Sequence, residues 1–222
     1  MKKSYLLIAL TLLLVGVVSS AGVWRIPSGT AEAHMMLPVA GGGTPGVSFP
    51  STSIIDDFDR ASIGSDWTDV ANGITISSNE AAGSTADANN SAYYNASSYA
   101  DGYEVYITLT TAVNDTSLYH LNGSYNGYGL LASPAGETIE IQEIASGSPT
   151  TLGAAISQTL SNGDAIGLKK DGSTLTAYYK ASGGSWAEIG NRTDSTYSVT
   201  GNFFLQIYST TGRCDDFGGG NP

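Results

Sequence analysis

The chain has 222 residues, enough for one sizeable domain and a short appendage, and only 13% of its residues are charged. Its formal net charge of −11 disfavours contact with phosphate backbones and with anionic lipid, so we expect no nucleic-acid partner. The single cysteine, Cys214, excludes a disulfide within the chain, and we interpret it as a small buried residue of the last strand.

Residues 1–24 predict a hydrophobic helix that serves as a signal peptide or as a membrane anchor. An apolar run from Tyr5 to Val18 follows a positive start, and Ser19-Ser20-Ala21 offers small residues suited to signal-peptidase cleavage. If the run is extended to Trp24, it is about 20 residues long, which is the length of a helix that spans a bilayer. We therefore expect the protein to be secreted or on the cell surface, with membrane contact only through this segment if it is retained.

Residues 25–50 are interpreted as a flexible linker, and residues 51–222 as the folded domain. Four prolines interrupt any regular element in the linker, and Gly41-Gly42-Gly43 adds flexibility. The pattern changes after Pro50, where short alternating apolar and polar runs begin. The boundary between linker and domain is therefore predicted at residue 50.

The domain is predicted to consist of antiparallel strands. In Tyr103–Thr110 the odd-numbered residues are apolar or aromatic and share one face, as in a half-buried strand. Residues 165–170 and 174–180 flank Asp171-Gly172-Ser173, which predicts a hairpin. Such spacing favours an all-β, antiparallel two-sheet jelly-roll sandwich. Further strands are predicted at residues 73–77, 186–189 and 203–208.

The two ends of the domain carry the same Asp-Asp-Phe sequence. One copy is Asp56-Asp57-Phe58 and the other is Asp215-Asp216-Phe217. We predict that the two segments are neighbouring strands that close the sandwich, with Phe58 and Phe217 as core residues. Trp67 and Trp186 are also expected in the core or at its edge.

Several segments together have the pattern of a known family: Ile55–Arg60, Ile63–Thr68, Gly163–Leu168, Asp171–Tyr178, Trp186 after a glycine turn, and Asp215-Asp216-Phe217. They resemble concanavalin A-like lectin/glucanase domains of the laminin-G-like kind. The resemblance covers residues 54–218 and implies a two-sheet jelly roll whose first and last strands pair. Domains of this type include lectins, carbohydrate-binding modules, glycoside hydrolases, adhesion modules and virion proteins, so the fold alone does not choose an activity.

The paired ends are also the candidate metal site. Relatives of this kind often bind calcium through loop carboxylates, the hard oxygen ligands that this cation needs. Pairing the ends would bring four acids together, and their charges would repel unless a cation, Arg60 or Arg213 offsets them. Both a calcium site and simple neutralisation by the arginines remain open. The candidate calcium ligands are Asp56, Asp57, Asp215 and Asp216.

Hydrolase chemistry is not expected. Glucanases of this superfamily place their carboxylates at alternate positions of one strand, and the nearest stretch here is Glu137–Ile144. From Glu140 the same face carries Gln142 and then an isoleucine, while Glu143 points to the opposite face. One carboxylate and one amide cannot perform retaining hydrolysis, which needs a pair of carboxyl groups. We therefore expect no enzyme activity and keep glycoside hydrolysis as the least favoured alternative.

The segment Tyr119–Gly129 is the best candidate for ligand binding. Sugars are bound by aromatic faces that stack on their C–H groups, together with amides that bond their hydroxyls. Tyr125 and Tyr128 would supply the faces, and Asn122 and Asn126 would supply the amides. The alternative is that these tyrosines only cover the sheet.

The sequence thus favours an exported, non-catalytic recognition domain whose partner is a glycan or another surface ligand. The second interpretation is a structural coat, spike or filament subunit of a cell surface or virion that self-assembles. The third is a glycoside hydrolase.

Overall fold

The computed structural model describes residues 48–222, which form strands, turns and loops. Within this range there is no helix long and apolar enough to span a bilayer. The helix predicted for residues 1–24 and all but the last three residues of the predicted linker lie outside the described range. The strands are β1 Ile54–Asp56, β2 Trp67–Ala71, β3 Ile74–Ile76, β4 Ala81–Gly83, β5 Asn89–Tyr94, β6 Tyr103–Thr111, β7 Thr116–Leu121, β8 Gly127–Ser133, β9 Thr138–Ala145, β10 Ser148–Thr151, β11 Ile156–Ser157, β12 Asp164–Asp171, β13 Thr174–Lys180, β14 Ala187–Thr193, β15 Asn202–Tyr208 and β16 Arg213–Gly220.

The strands form two antiparallel sheets, as the alternating pattern predicted. The back sheet has the order β14-β13-β12-β6-β16-β4-β3, with β1 added on β16. The front sheet has the order β10-β9-β8-β7-β15-β5-β2, with β11 added on β9. The inner faces of both sheets contribute to one buried hydrophobic cluster, so residues 48–222 have a core of their own.

Alternation along single strands decides which side chains enter this core. In β6 the four predicted inward residues, from Tyr103 to Leu109, are at most 1% exposed. In β15 Phe203, Leu205 and Ile207 are fully buried, while Tyr208 on the other face is 38% exposed. Each large apolar side chain placed this way stabilises the fold by about 1.5–3 kcal/mol.

The predicted hairpin is present as β12 and β13. Asp171 pairs with Thr174, so Gly172 and Ser173 form a two-residue turn. Gly172 has φ +55°, a left-handed conformation that glycine adopts without a steric penalty.

The matching ends are paired, as predicted. β1 lies antiparallel to β16, with Ile54 opposite Gly218 and Asp56 opposite Phe217. Phe58 and Phe217 are both fully buried, and the Trp67 ring packs against both, with centroids 5.7 and 5.1 Å away. Phe58, however, lies two residues beyond the end of β1, in a turn with φ +50°. It enters the core from this turn and not from a strand.

Phe49, at the end of the predicted linker, packs against the back sheet. Phe49 is buried on the outer face of the back sheet, where its ring stacks on Tyr178 at a centroid distance of 4.0 Å. Trp186 packs edge-on against the same ring, so this tryptophan lies on the outer face of the sandwich and not in the central core. Gly167 lies beneath Phe49, and a Cβ there would come within 2.4 Å of the ring. Phe49 therefore belongs to the folded domain.

Candidate functional site

The outer face of the front sheet contains a depression of about 370 Å³, which we call the front-sheet groove. This volume lies within the range of small-ligand pockets, about 300–1,000 Å³. Its walls are outward-facing residues of neighbouring strands, above all β5, β7 and β15. The lining residues are Val70, Asn89, Ser91, Tyr119, Leu121, Tyr125, Ile144, Gly147, Pro149, Phe204 and Gln206.

Aromatic rings gather around Phe204 on this face. The Tyr93 ring lies 5.2 Å from Phe204, and the Tyr125 ring meets it edge-on at 5.9 Å. Tyr119 is opposite Phe204 in the β7–β15 register and opposite Gly129 in the β7–β8 register. A Cβ on Gly129 would come within 2.1 Å of the Tyr119 ring, so the glycine lets this ring lie close against the sheet.

A smaller depression of about 180 Å³ adjoins the groove, and we call it the side depression. It shares Tyr125 and Phe204 with the front-sheet groove but has otherwise different walls. The ring pair therefore stands between two recesses on one face. The other residues lining the side depression are Tyr93, Asn122, Gly123 and Asn202.

The loop that carries Tyr125 is held by its own asparagines. Tyr125 has φ +56°, which costs an ordinary residue about 1–2 kcal/mol. The Oδ1 of Asn122 accepts bonds from the backbone N–H of Ser124 and Asn126, at 2.9 and 3.1 Å. The Oδ1 of Asn126 accepts a bond from the N–H of Ser146 at 2.7 Å. These bonds fix the turn and leave the Tyr125 side chain 42% exposed above the groove.

The four predicted ligand residues therefore separate. Tyr125 lines both recesses and Asn122 lines the side depression, whereas Asn126 lines neither. Tyr128 faces the core and is 1% exposed, so it cannot stack on an external ligand. Its hydroxyl donates to Asp194, and burial together with this bond raises the pKa of Tyr128. The two tyrosines differ because the left-handed turn at Tyr125 points its side chain to solvent, while Tyr128 follows in β8 with its side chain in the core.

Phe204, the central ring of the groove, is not among the ligand residues predicted from the sequence. It lies in the predicted strand 203–208, where it alternates with the inward-facing Phe203 and Leu205. A bulky aromatic residue on the outward side of such a strand is the signal that identifies it, because an ordinary outward face carries polar residues. Tyr93 and Tyr119 carry the same signal on β5 and β7.

The acidic ends have a structural explanation at Asp56. The guanidinium of Arg60 bonds both carboxylate oxygens, at 2.6 and 2.5 Å. The indole N–H of Trp67 donates to Oδ2 at 2.6 Å, and the backbone N–H of Phe58 donates to Oδ1 at 2.8 Å. Asp56 itself is 6% exposed. Its oxygens are engaged by protein donors, so this residue does not fit the role of a calcium ligand.

The other three acids of the candidate calcium site are less constrained. Asp57 is exposed, and Asp215 and Asp216 are half-buried. Burial, followed by the nearby charges of Asp216, Glu80 and Asp57, raises the pKa of Asp215. Within residues 48–222 no group of three or more His, Cys, Asp or Glu side chains is arranged to hold a metal ion. The calcium site therefore stays a prediction.

In β9, the strand considered for hydrolase chemistry, the side chains alternate between core and outer face as the sequence predicts. Ile139 and Ile141 are buried in the core, while the Gln142 amide donates to Glu140 Oε2 at 3.3 Å on the outer face. Thr151 also donates to this carboxylate, at 2.5 Å. Glu140 lines neither recess, and none of the described residues that line them is Asp or Glu.

Two further reactive side chains are buried in the sandwich. His120 lies against the Tyr103 and Phe203 rings, and burial lowers its pKa to about 4. Burial raises the pKa of Cys214 to about 12. Neither contributes to the outer face, and the buried position of Cys214 agrees with the interpretation of this residue as part of the last strand.

Known proteins match this chain by structure. No protein-family model matches the sequence, and no curated protein is significantly similar to it. The carbohydrate-binding module CBM66 from Bacillus subtilis superposes with a TM-score of 0.56 at 16% identity, over 69% of this chain and 94% of that one. The exoplasmic/lumenal domain of VIP36, in its Ca²⁺/Man3GlcNAc-bound form, gives a TM-score of 0.55 at 12% identity, over 77% and 88%.

An enzyme is also among the matches. The GH43 protein BlXynB from Bacillus licheniformis gives a TM-score of 0.51 at 18% identity, over 74% of this chain but only 38% of that one. At these identities the matches establish the fold and not an activity. Residues 48–222 therefore share the two-sheet jelly-roll sandwich fold of these proteins.

Proposed function

We propose that this protein is an exported, non-catalytic domain that binds carbohydrate in the front-sheet groove. The observation that carries the proposal is the exposed Tyr125 ring beside Phe204, on a face whose other lining residues are uncharged. Aromatic faces suit the apolar side of a sugar ring, while the nearby amides of Asn89 and Gln206 suit its hydroxyls. Fold neighbours that include a carbohydrate-binding module support the proposal.

The lining of the groove supports a non-catalytic role. Glycoside hydrolysis needs two carboxyl groups beside the scissile bond, and the described residues lining the two recesses include none. A bound polysaccharide is therefore expected to stay intact, with no new reducing ends after prolonged incubation. Release of reducing ends that is lost in Glu140→Gln would support the hydrolase alternative instead.

Calcium is not needed for the proposed mode of binding. Neutral side chains form the groove, and Asp56 is engaged by Arg60 and Trp67. We therefore expect glycan binding to persist in EDTA. If calcium binds at the remaining predicted acids, Asp57, Asp215 and Asp216, it acts on the closure of the sandwich and not on the ligand.

The test is a glycan array probed with residues 48–222, followed by affinity measurements on the Phe204→Leu variant. Leucine keeps apolar volume but removes the aromatic face. We expect at least a tenfold loss of affinity, which corresponds to about 1.4 kcal/mol. Tyr208→Leu is the matched control, because Tyr208 lies on the same strand and face but lines neither recess.

Other results would lead to different conclusions. Equal losses in Phe204→Leu and Tyr208→Leu would place the ligand elsewhere. If no glycan binds and light scattering reports large assemblies, the structural-subunit alternative replaces the proposal.

Export is the remaining part of the proposal, and it depends on residues 1–24. A positive start, an apolar run and small residues at its end support a secretory signal or an anchor. Fractionation and N-terminal sequencing of the mature protein distinguish the two. Recovery of the intact chain from the cytoplasm would contradict both.

A further inference from the structure

We infer that the groove takes the interior of an uncharged polysaccharide chain, laid across Tyr125 and Phe204, and not a chain end or a charged glycan. The inference rests on the proposed function and specifies its ligand class. Three features of the outer face carry it: the charge of the walls, the position of the ring pair and the rigidity of the Tyr125 loop.

The walls indicate a neutral ligand. All the described residues lining the front-sheet groove and the side depression are uncharged, although the chain as a whole has a net charge of −11. A polyanionic glycan would need cationic partners, as phosphate and carboxylate ligands do. It would also be repelled by the net negative charge of the chain. Hydroxyl groups, in contrast, need only amides and hydroxyls such as those of Asn89, Ser91 and Gln206.

The position of the ring pair indicates binding of a chain interior. Tyr125 and Phe204 line both recesses, so a sugar ring stacked on them has space on two sides. Lining residues run along β5 from Asn89 to Tyr93, and along β15 from Asn202 to Gln206. Four steps along a strand span about 13 Å, which is longer than one sugar ring. A site for a chain end would instead need a wall directly beside the stacking ring.

Asn122 is assigned as the positioning residue of this arrangement. Its Oδ1 accepts the N–H groups of Ser124 and Asn126, and its backbone C=O accepts the N–H of Tyr125 at 2.9 Å. The backbone C=O of Tyr125 in turn accepts the N–H of Gly147 at 2.9 Å. These bonds hold Tyr125 in its left-handed conformation before any ligand arrives. Binding then does not have to order the loop, which reduces its entropic cost.

The first experiment varies the length and charge of the probe. Titration calorimetry of residues 48–222 would use soluble xylan, mannan and mixed-linkage β-glucan, each with oligosaccharides of one to six units. For at least one polymer we expect affinity to rise at least tenfold from one unit to several. We expect it to be unchanged when the reducing end is reduced with borohydride, and to fall at least tenfold when the polymer is carboxymethylated.

The second experiment tests the positioning role of Asn122. Asn122→Ala is expected to weaken binding about as much as Tyr125→Ala, while Asn122→Asp, which keeps the accepting oxygen, restores it. Thermal melting of each variant reports whether the fold is intact. Loss of binding in Asn122→Ala with full binding in Tyr125→Ala would overturn the assignment.

Failure of this inference is distinguishable from failure of the proposed function. Full affinity for a single sugar unit, loss of binding on reduction of the chain end, or a preference for carboxymethylated or uronic-acid polymers would each overturn the inference. In those cases carbohydrate binding itself would stand. If none of the neutral or charged polymers binds, the proposed function and this inference both fail.

Discussion

Replacing Asp56 separates a structural role for this acid from a metal-binding role. In Asp56→Ala the buried N–H groups of Trp67 and Phe58 lose their acceptor, and Arg60 loses its partner. Removing one member of a buried pair costs about 3–5 kcal/mol. The Arg60 side chain is 35% exposed and can be solvated by water, so we expect the lower end of that range.

The expected effect on thermal unfolding follows from this magnitude. For a domain of this size each kcal/mol lowers Tm by about 2–4 °C, so a loss of about 3 kcal/mol lowers Tm by roughly 6–12 °C. Differential scanning calorimetry and urea denaturation measure the change. Asp57→Ala is the matched control, because Asp57 is exposed and, among residues 48–222, its carboxylate accepts only the N–H of Asp59, at 3.1 Å. A surface substitution of this kind changes stability by about 0.5 kcal/mol or less.

The same measurement in calcium and in EDTA completes the test. The structural role predicts that Asp56→Ala loses the same stability in both conditions. A wild-type Tm that rises in calcium, with the rise abolished by both Asp56→Ala and Asp57→Ala, would show instead that these acids bind calcium, as in the four-acid site predicted from the sequence.

Three other outcomes follow from the buried side chains. His120 has a folded pKa of about 4 and an unfolded pKa of about 6.5. The unfolded chain therefore binds a proton that the folded chain does not. The free energy of unfolding falls by up to about 3 kcal/mol as the pH drops from 6.5 to 4. In His120→Gln this dependence of stability on pH should be smaller. The Cys214 thiol should not react with Ellman's reagent until the protein unfolds, because burial raises its pKa to about 12; rapid labelling of the native chain would contradict this. Phe49→Ala should cost about 2 kcal/mol and shift the emission of Trp186 to the red, whereas an unchanged spectrum would show that Phe49 does not cover the back sheet.

The sequence was sufficient for the architecture because strand alternation is a local property. The faces of β6 and β15 follow directly from the order of apolar and polar residues. The pairing of the two ends was also predictable, since each end carries the same Asp-Asp-Phe sequence.

The candidate site was harder to predict because it depends on contacts between distant residues. Tyr125 and Tyr128 are three positions apart, yet a left-handed turn puts one outside and the other in the core. Phe204 becomes the centre of the groove only through neighbours on β5 and on the Tyr125 loop. The sequence around Asp56 is compatible with a metal ligand, but the carboxylate is bonded by Trp67, eleven positions later in the chain. Local pattern does not specify such partners.

The proposed function places the ligand on the outer face of the front sheet, at Phe204 and Tyr125. The most direct measurement is NMR titration of ¹⁵N-labelled residues 48–222 with the oligosaccharide that binds most tightly in the length series. If the ligand binds there, the amide shifts change at Tyr93, Tyr119, Tyr125, Phe204 and Gln206, while the back-sheet amides around Tyr106 and Tyr178 stay unchanged. Shifts confined to the back sheet or to the paired ends would contradict this placement.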